Sequence, residues 1–151
     1  MTMTSRTRST ALAIAAIAAL AFTGAGGAAA APPDSPQIPL NTGQEVPAPT
    51  VGGAYGTFSY EIEGDELCWE LTATGLSSGA VAAHIHVGER NAPGPVVVPL
   101  TVEVGETSFE TSGCATPDAS LLAAIEDDPR AYYVNVHTTT NQPGEIRGQL
   151  K

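Results

Sequence analysis

Hydrophobic and polar residues alternate along most of the chain after residue 55, which is the period of a β-strand with one buried face. In segments 55–63 and 66–74 apolar residues take every second position, and the short turn Gly64-Asp65 separates the two. This pattern predicts an antiparallel hairpin. Further strands are predicted between Gly and Pro residues, at 81–87, 95–103, 106–112, 131–138 and 145–151.

One segment between these strands has a helical pattern. Thr116 is predicted as the N-cap residue and Pro117 as the first residue of the helix. Leu121, Leu122 and Ile125 form an apolar stripe, and Pro129 ends the helix. Seven or eight short strands with one short helix predict an all-β fold, a Greek-key β-sandwich or barrel.

The N-terminal segment has the composition of a secretory signal peptide. Arg6 and Arg8 form a positive region, an apolar run covers 11–22, and Ala28-Ala29-Ala30 satisfies the small-residue cleavage pattern. The apolar run is shorter than the roughly 20 residues that span a bilayer. We therefore predict a signal peptide over residues 1–30, with an uncleaved membrane anchor as the alternative.

After cleavage, a Pro-rich flexible lead-in is expected over 31–37 and one domain over 38–151. Four basic residues remain against sixteen acidic ones, a net charge of −12. This charge argues against binding to nucleic acid, which needs a basic surface, and against an anionic membrane. The protein is expected to be secreted or held in the cell envelope, with no stable membrane anchor.

The chain has two cysteines, Cys68 and Cys114. Export to an oxidising compartment favours a disulfide between them, which would close a loop of about 45 residues and stabilise the fold by roughly 3–4 kcal/mol. Cys68 lies on the polar face of its strand, so the bond is expected on the outside of the sheet. Two free or metal-binding thiols are the alternative.

The three histidines are the most informative residues of the sequence. His84 and His86 alternate along one strand and so project from the same face. His137 shares a face with Tyr133 and Asn135 on a later strand. If the two strands are neighbours, the three imidazoles converge on the side of the sheet that faces away from the aliphatic core.

Three clustered imidazoles can bind Cu²⁺ or Zn²⁺ and leave a fourth position open. The alternatives are that the histidines form structural hydrogen bonds, sense pH or contact a partner. Asn135 and Glu145 are candidates for residues that orient the ligands. Glu145 and Arg147 share one face of the last strand and could form an ion pair or anchor a loop. No catalytic triad or cofactor-binding motif is present in the sequence, so we predict no catalytic residues and no enzyme activity.

Four ordered motifs resemble the CHRD domain, a family named for the repeated domain of chordin and widespread in exported bacterial proteins. The segment from Leu40 to Pro47 resembles its opening strand and turn. The resemblance covers residue 38 to the C-terminus and implies an extracellular all-β module that acts in binding or in envelope structure, with an unidentified exported protein or ligand as partner. The motifs are Ala83-His84-Ile85-His86-Val87-Gly88, Gly94-Pro95-Val96-Val97-Val98-Pro99-Leu100, Tyr132-Tyr133-Val134-Asn135-Val136-His137-Thr138 and Gly144-Glu145-Ile146-Arg147-Gly148-Gln149-Leu150.

The order of His84, His86 and His137 is also similar to that of the copper ligands in copper–zinc superoxide dismutases, which are Greek-key β-sandwiches. This chain has no further histidine to bridge copper to zinc and no His-rich zinc loop. The sequence therefore supports two hypotheses: a non-enzymatic CHRD-type binding or structural module, or a copper- or zinc-binding protein with one mononuclear site that could be redox-active.

Overall fold

The computed structural model describes residues 35–151, which contain eight strands and one α-helix. The predicted signal peptide and most of the predicted lead-in lie outside the described residues. Two 3₁₀ turns cover Thr42–Gln44 and Pro129–Ala131. The elements are β1 (Ile38–Asn41), β2 (Tyr55–Glu63), β3 (Glu66–Thr74), β4 (Ala80–Val87), β5 (Val96–Leu100), β6 (Phe109–Ala115), α1 (Ala119–Asp127), β7 (Tyr132–Thr138) and β8 (Ile146–Gln149).

All eight strands form one antiparallel sheet in the order β5-β4-β7-β8-β1-β2-β3-β6. The chain between β5 and β6 hydrogen-bonds to the chain that leads into β4: Gly105 N–H donates to the Ala80 carbonyl, and Ala80 N–H donates to the Glu106 carbonyl, both at 2.9 Å. These bonds bring the two ends of the sheet together. The predicted all-β fold is confirmed, as a nearly closed, barrel-like sheet.

Two predicted strands differ from the structure by three residues at one end or both, and the other predicted bounds differ by two residues or fewer. β5 ends at Leu100 instead of continuing to residue 103, because the chain turns there toward Ala80. β6 runs three residues later than predicted and includes Gly113, which lies beyond the end of the predicted strand. Gly113 is needed inside the strand because a Cβ atom there would lie 2.7 Å from the indole of Trp69.

The start of the helix was also predicted wrongly. α1 begins at Ala119, with Asp118 in the N-cap position, and not after Thr116. The N–H groups of Leu121 and Leu122 both bond to the Asp118 carbonyl, so Pro117 precedes the helix instead of opening it. The predicted apolar face is confirmed, since Leu122 and Ile125 are buried.

A single hydrophobic core fills the inside of the sheet. It includes Trp69, as predicted, and the inward residues Ala83 and Ile85 of β4 and Val134 and Val136 of β7. The histidines of these two strands therefore lie on the outer face. No helix in residues 35–151 is both long and apolar enough to cross a membrane.

The predicted disulfide is present. Cys68 of β3 and Cys114 of β6 lie directly opposite each other and are bonded. Cys114 is exposed and Cys68 is partly buried, so the bond lies on the outside of the sheet, as the alternation in β3 predicted. It joins the last two strands of one end of the sheet.

Candidate metal centre

β4 and β7 are neighbours, so the condition for convergence of the histidines is met. In their antiparallel register His84 lies opposite Asn135, His86 opposite Tyr133, and His137 opposite Ala82. One ring nitrogen from each of the three histidines lies within 4.8 Å of the corresponding atoms of the other two. The sequence therefore identified the members of this cluster, and the register of β4 and β7 brings them together.

Main-chain carbonyls fix the orientation of two of the three imidazoles. His86 Nδ1 lies 2.8 Å from the Gly94 carbonyl, and His137 Nδ1 lies 2.8 Å from the Gln142 carbonyl. A carbonyl only accepts hydrogen bonds, so each Nδ1 carries the proton and each Nε2 presents a lone pair. Histidines that bind metal ions commonly donate their second N–H in this way.

His84 completes the cluster through a contact with His137. Its Nδ1 atom lies 3.0 Å from His137 Nε2 and donates a hydrogen bond to it, because the His137 proton is on Nδ1. Two nitrogen ligands at about 2.05 Å from one ion lie about 2.9 Å apart at a right angle and about 3.3 Å apart in a tetrahedron. The His84–His137 pair therefore already has the spacing of two adjacent ligands, and a metal ion could replace the shared proton.

The third ligand requires a small adjustment. Two nitrogens on opposite sides of an ion are about 4.1 Å apart, less than the 4.8 Å within which the three atoms lie. A contraction of up to about 1.5 Å would bring all three nitrogens to the spacing of a tetrahedral site. His84 and His137 are only partly buried, whereas His86 is 7% exposed and stacks on Tyr133, so the adjustment is expected mainly in His84 and His137.

The environment keeps all three imidazoles neutral. Burial, reinforced by His137 and His86, lowers the pKa of His84 from 6.5 to about 4. Burial also lowers the pKa of His86 and of His137, although the Gly94 and Gln142 carbonyls act in the opposite direction. Neutral imidazole is the form that binds metal ions, so little proton displacement is needed near pH 7.

The imidazole of His86 is supported by a stack that consists of the Tyr133 ring and the Arg147 guanidinium. The His86 ring lies parallel to that of Tyr133, with the centroids 4.7 Å apart, and the Arg147 guanidinium covers the other face of Tyr133 at 3.3 Å. Arg147 is 1% exposed and donates to the carbonyls of Glu89 and Ala92. It thus anchors the loop 88–95, whose Gly94 carbonyl orients His86.

Glu145 anchors a second loop. Its carboxylate is 1% exposed and accepts hydrogen bonds from Ser77 N–H, Ser77 Oγ, Thr138 Oγ1 and Asn141 Nδ2 at 2.6–3.0 Å. Burial raises the pKa of Glu145, but these bonds lower it by more, and the net shift is downward. Glu145 therefore acts through the segment 138–144, which carries the Gln142 carbonyl.

Glu45 is part of the site and was not singled out from the sequence. It is 4% exposed and accepts hydrogen bonds from Val46 N–H and, at 3.3 Å, from Asn135 Nδ2. Burial raises its pKa, these two hydrogen bonds and the charge of Arg147 lower it by less, and the net shift is upward. In the sequence, Glu45 cannot be told apart from an ordinary solvent-exposed acidic residue in a turn. Only the fold brings its carboxylate into contact with Asn135.

Fold and cluster together define an antiparallel β-barrel-like domain with three histidines on its outer face beneath three loops. The CHRD domain family matches residues 37–150, so the chain belongs to the CHRD family. Family membership implies a binding or structural module, and with the disulfide it fits an extracellular protein. No curated protein matches the chain, and no solved structure does either.

Proposed function

We propose that this protein is an exported, non-enzymatic metal-binding module that takes up one Cu²⁺ or Zn²⁺ ion through His84, His86 and His137. The observation that carries the proposal is the Nε2 atom of His86. This atom is buried, carries a lone pair and has no hydrogen-bond partner among the described residues. An unsatisfied buried acceptor destabilises a fold by about 1–3 kcal/mol, and a bound cation would remove that penalty.

The buried polar residues of the domain support the same proposal. Eight buried residues of the described chain are polar or charged, and seven of them belong to the histidine cluster or to the network around it. Such a concentration is unusual for a structural sheet face, where polar side chains are normally solvated. The seven are Glu45, His86, Asn135, Thr138, Asn141, Glu145 and Arg147.

The test is titration of the metal-stripped protein with Cu²⁺ and with Zn²⁺ by calorimetry. We expect one ion per chain, with Cu²⁺ bound more tightly than Zn²⁺, as is general for nitrogen ligands. The triple variant His84→Ala/His86→Ala/His137→Ala should lose this binding. Gln142→Ala is the matched control, because Gln142 contacts His137 through its main-chain carbonyl only and its side chain is exposed.

A second measurement excludes weak surface binding. Metal that binds only the folded state raises the free energy of unfolding by about 2.7 kcal/mol when free metal is 100 times the dissociation constant. Thermal unfolding of the wild type should shift accordingly, and that of the triple variant should not. Equal binding by both proteins would contradict the proposal.

The second candidate is a module that binds another exported or envelope protein. Three valines near the edge strand β5 are exposed. Val96 lies on β5 and is 48% exposed, Val81 lies on the neighbouring β4 and is 43% exposed, and Val104 lies between β5 and β6 and is 74% exposed. An edge strand with exposed apolar side chains can pair with a strand of another chain. Val96→Lys should weaken a complex of this kind and leave metal titration unchanged, which separates the two functions.

A further inference from the structure

Two buried acceptor atoms at the histidine cluster have no partner among residues 35–151: His86 Nε2 and Asn135 Oδ1. Asn135 projects from the same face of the sheet as His84 and His86, because His84 lies opposite Asn135 and His86 lies opposite Tyr133. The Asn135 side chain is 1% exposed and lies on β7 directly opposite His84. Two buried, unpartnered acceptors therefore lie on the outer face of the sheet, in the patch where the three imidazoles converge.

The orientation of the Asn135 amide follows from its other contacts. Asn135 Nδ2 lies 3.3 Å from Glu45 Oε2 and 3.3 Å from the Pro143 carbonyl. Both of these atoms are acceptors, so the NH₂ group must face them and the oxygen must face the opposite way. Flipping the amide would set Oδ1 against a carboxylate and a carbonyl.

Each of these two atoms is an acceptor, so only a group that takes up a lone pair from both, or donates a hydrogen to both, can satisfy them. A metal ion accepts lone pairs from both atoms at once. A water molecule that donates to both is the competing arrangement, and the experiment below distinguishes the two.

We propose that Asn135 Oδ1 is the fourth protein ligand of the ion bound by His84, His86 and His137. This inference rests on the proposed metal-binding function and replaces the open position expected from three histidines with a closed site of three nitrogens and one oxygen. Glu45 is then a positioning residue, because it holds the amide with its oxygen toward the ion.

The ligand set has two chemical consequences. Four protein ligands are typical of sites that hold an ion, whereas catalytic sites keep one position for water or substrate. An amide oxygen is a hard ligand that prefers divalent ions, so the site should retain Cu²⁺ or Zn²⁺ better than Cu⁺. The protein would therefore store or carry a divalent ion, or use it to brace the loops above β4 and β7.

The first test needs no variant. In a crystal structure of the Zn²⁺-loaded protein, Asn135 Oδ1 should lie at about 2.0–2.2 Å from the ion, the usual length of a zinc–oxygen bond. A water molecule as the fourth ligand, with the Asn135 oxygen beyond bonding distance, would overturn the inference and leave the three-histidine site intact. Absence of any ion at the histidines would overturn the proposed function as well.

Two variants at one position test the ligand role in solution. Asn135→Leu keeps the size of the side chain and removes the oxygen, and we expect Zn²⁺ affinity to fall about 10- to 100-fold. Asn135→Asp keeps an oxygen ligand and should bind at least as tightly as the wild type, even though its carboxylate faces Glu45 in the metal-free state. Co²⁺ absorption spectra would report the change of ligand in each.

The contrast between the two variants separates a ligand from a positioning residue. Equal weakening in Asn135→Leu and Asn135→Asp would mean that only the contacts of the amide NH₂ matter, and it would overturn the inference. Unchanged affinity and an unchanged Co²⁺ spectrum in Asn135→Leu would do so too. Far-ultraviolet circular dichroism of each variant confirms that the sheet has formed.

Discussion

Replacement of Glu145 by Gln tests whether a buried carboxylate holds the loop above His137. The side chain keeps its size, but one of its two acceptor atoms becomes an NH₂ group. An NH₂ group in the position of Oε1 would face one donor, Ser77 N–H, and one hydrogen bond would be lost. In the position of Oε2 it would face three donors, and three hydrogen bonds would be lost. The first arrangement is the better of the two, and it still removes one hydrogen bond to the carboxylate.

The magnitude follows from these bonds. A hydrogen bond to a charged group contributes about 1.5–3 kcal/mol and a neutral one about 1 kcal/mol, so one bond is lost and three are weakened. Relief from burying a charge offsets part of this. We expect Glu145→Gln to lower the free energy of unfolding by about 2–4 kcal/mol, or to lower the melting temperature by roughly 8–16 °C in a domain of this size.

The effect should depend on pH in a defined direction. The pKa of Glu145 is lowered in the folded protein from its ordinary value of 4.5. Its stabilisation is therefore present above pH 4.5 and lost as the pH falls through the folded-state pKa. The difference between wild type and Glu145→Gln should shrink in acid.

Urea denaturation at pH 7 and at pH 3–4 measures both quantities. Glu110→Gln is the matched control, since Glu110 is exposed on β6 and its substitution should change stability by less than about 0.5 kcal/mol. A Glu145→Gln protein as stable as this control would refute the reasoning. A large loss that does not change with pH would show that the carboxylate is not ionised in the fold.

Three further outcomes are expected. Replacing Cys68 and Cys114 by Ser should lower the free energy of unfolding by about 4 kcal/mol in urea, because the bond closes a loop with a sequence separation of 46; a loss below about 1 kcal/mol would contradict this. Gly144→Ala should weaken Zn²⁺ binding in calorimetry, because φ is +143° and the new Cβ would collide with the Glu45 carboxylate; unchanged affinity would argue against a role for that carboxylate. The metal-free protein should lose stability as the pH falls from 6.5 toward 4, because His84 stays neutral in the folded protein while the same imidazole is protonated in the unfolded chain. The free energy of unfolding should fall by up to about 1.4 kcal/mol per pH unit for each histidine that behaves in this way. Thermal unfolding that does not change over this pH range would contradict the prediction.

The sequence was sufficient to predict the strands and the histidine face, because both depend on local alternation. His84 and His86 had to share a face wherever their strand lay, and the aliphatic residues between them had to point to the core. The bounds of β6 were predicted wrongly because Gly113 looks like a turn residue, and only the indole of Trp69 on the neighbouring strand explains it. Pairing between distant strands is not encoded locally.

The surroundings of the site were predicted less well for the same reason. Asn135 was a candidate from its position on β7, but its contact with Glu45 joins residues 90 positions apart. Arg147 was expected to form an ion pair or anchor a loop, and the structure shows it bonded to the carbonyls of Glu89 and Ala92. Contacts of this kind depend on loop conformation, which alternation of apolar residues does not determine.

The three buried charges of the described chain, Glu45, Glu145 and Arg147, all lie around the histidines. Arg147 and Glu45 are close enough for each charge to shift the pKa of the other, but the hydrogen bonds of all three side chains go to main-chain groups or neutral side chains. Taking a charge out of water is unfavourable, and an apolar residue could stabilise a sheet face at least as well. Each charged residue instead fixes the position of a group that contacts the cluster. Arg147 holds the loop that carries the Gly94 carbonyl, Glu145 holds the segment that carries the Gln142 carbonyl, and Glu45 holds the Asn135 amide. A domain that needed only a stable sheet would have no use for this arrangement, whereas a metal site needs its ligands oriented before the ion arrives.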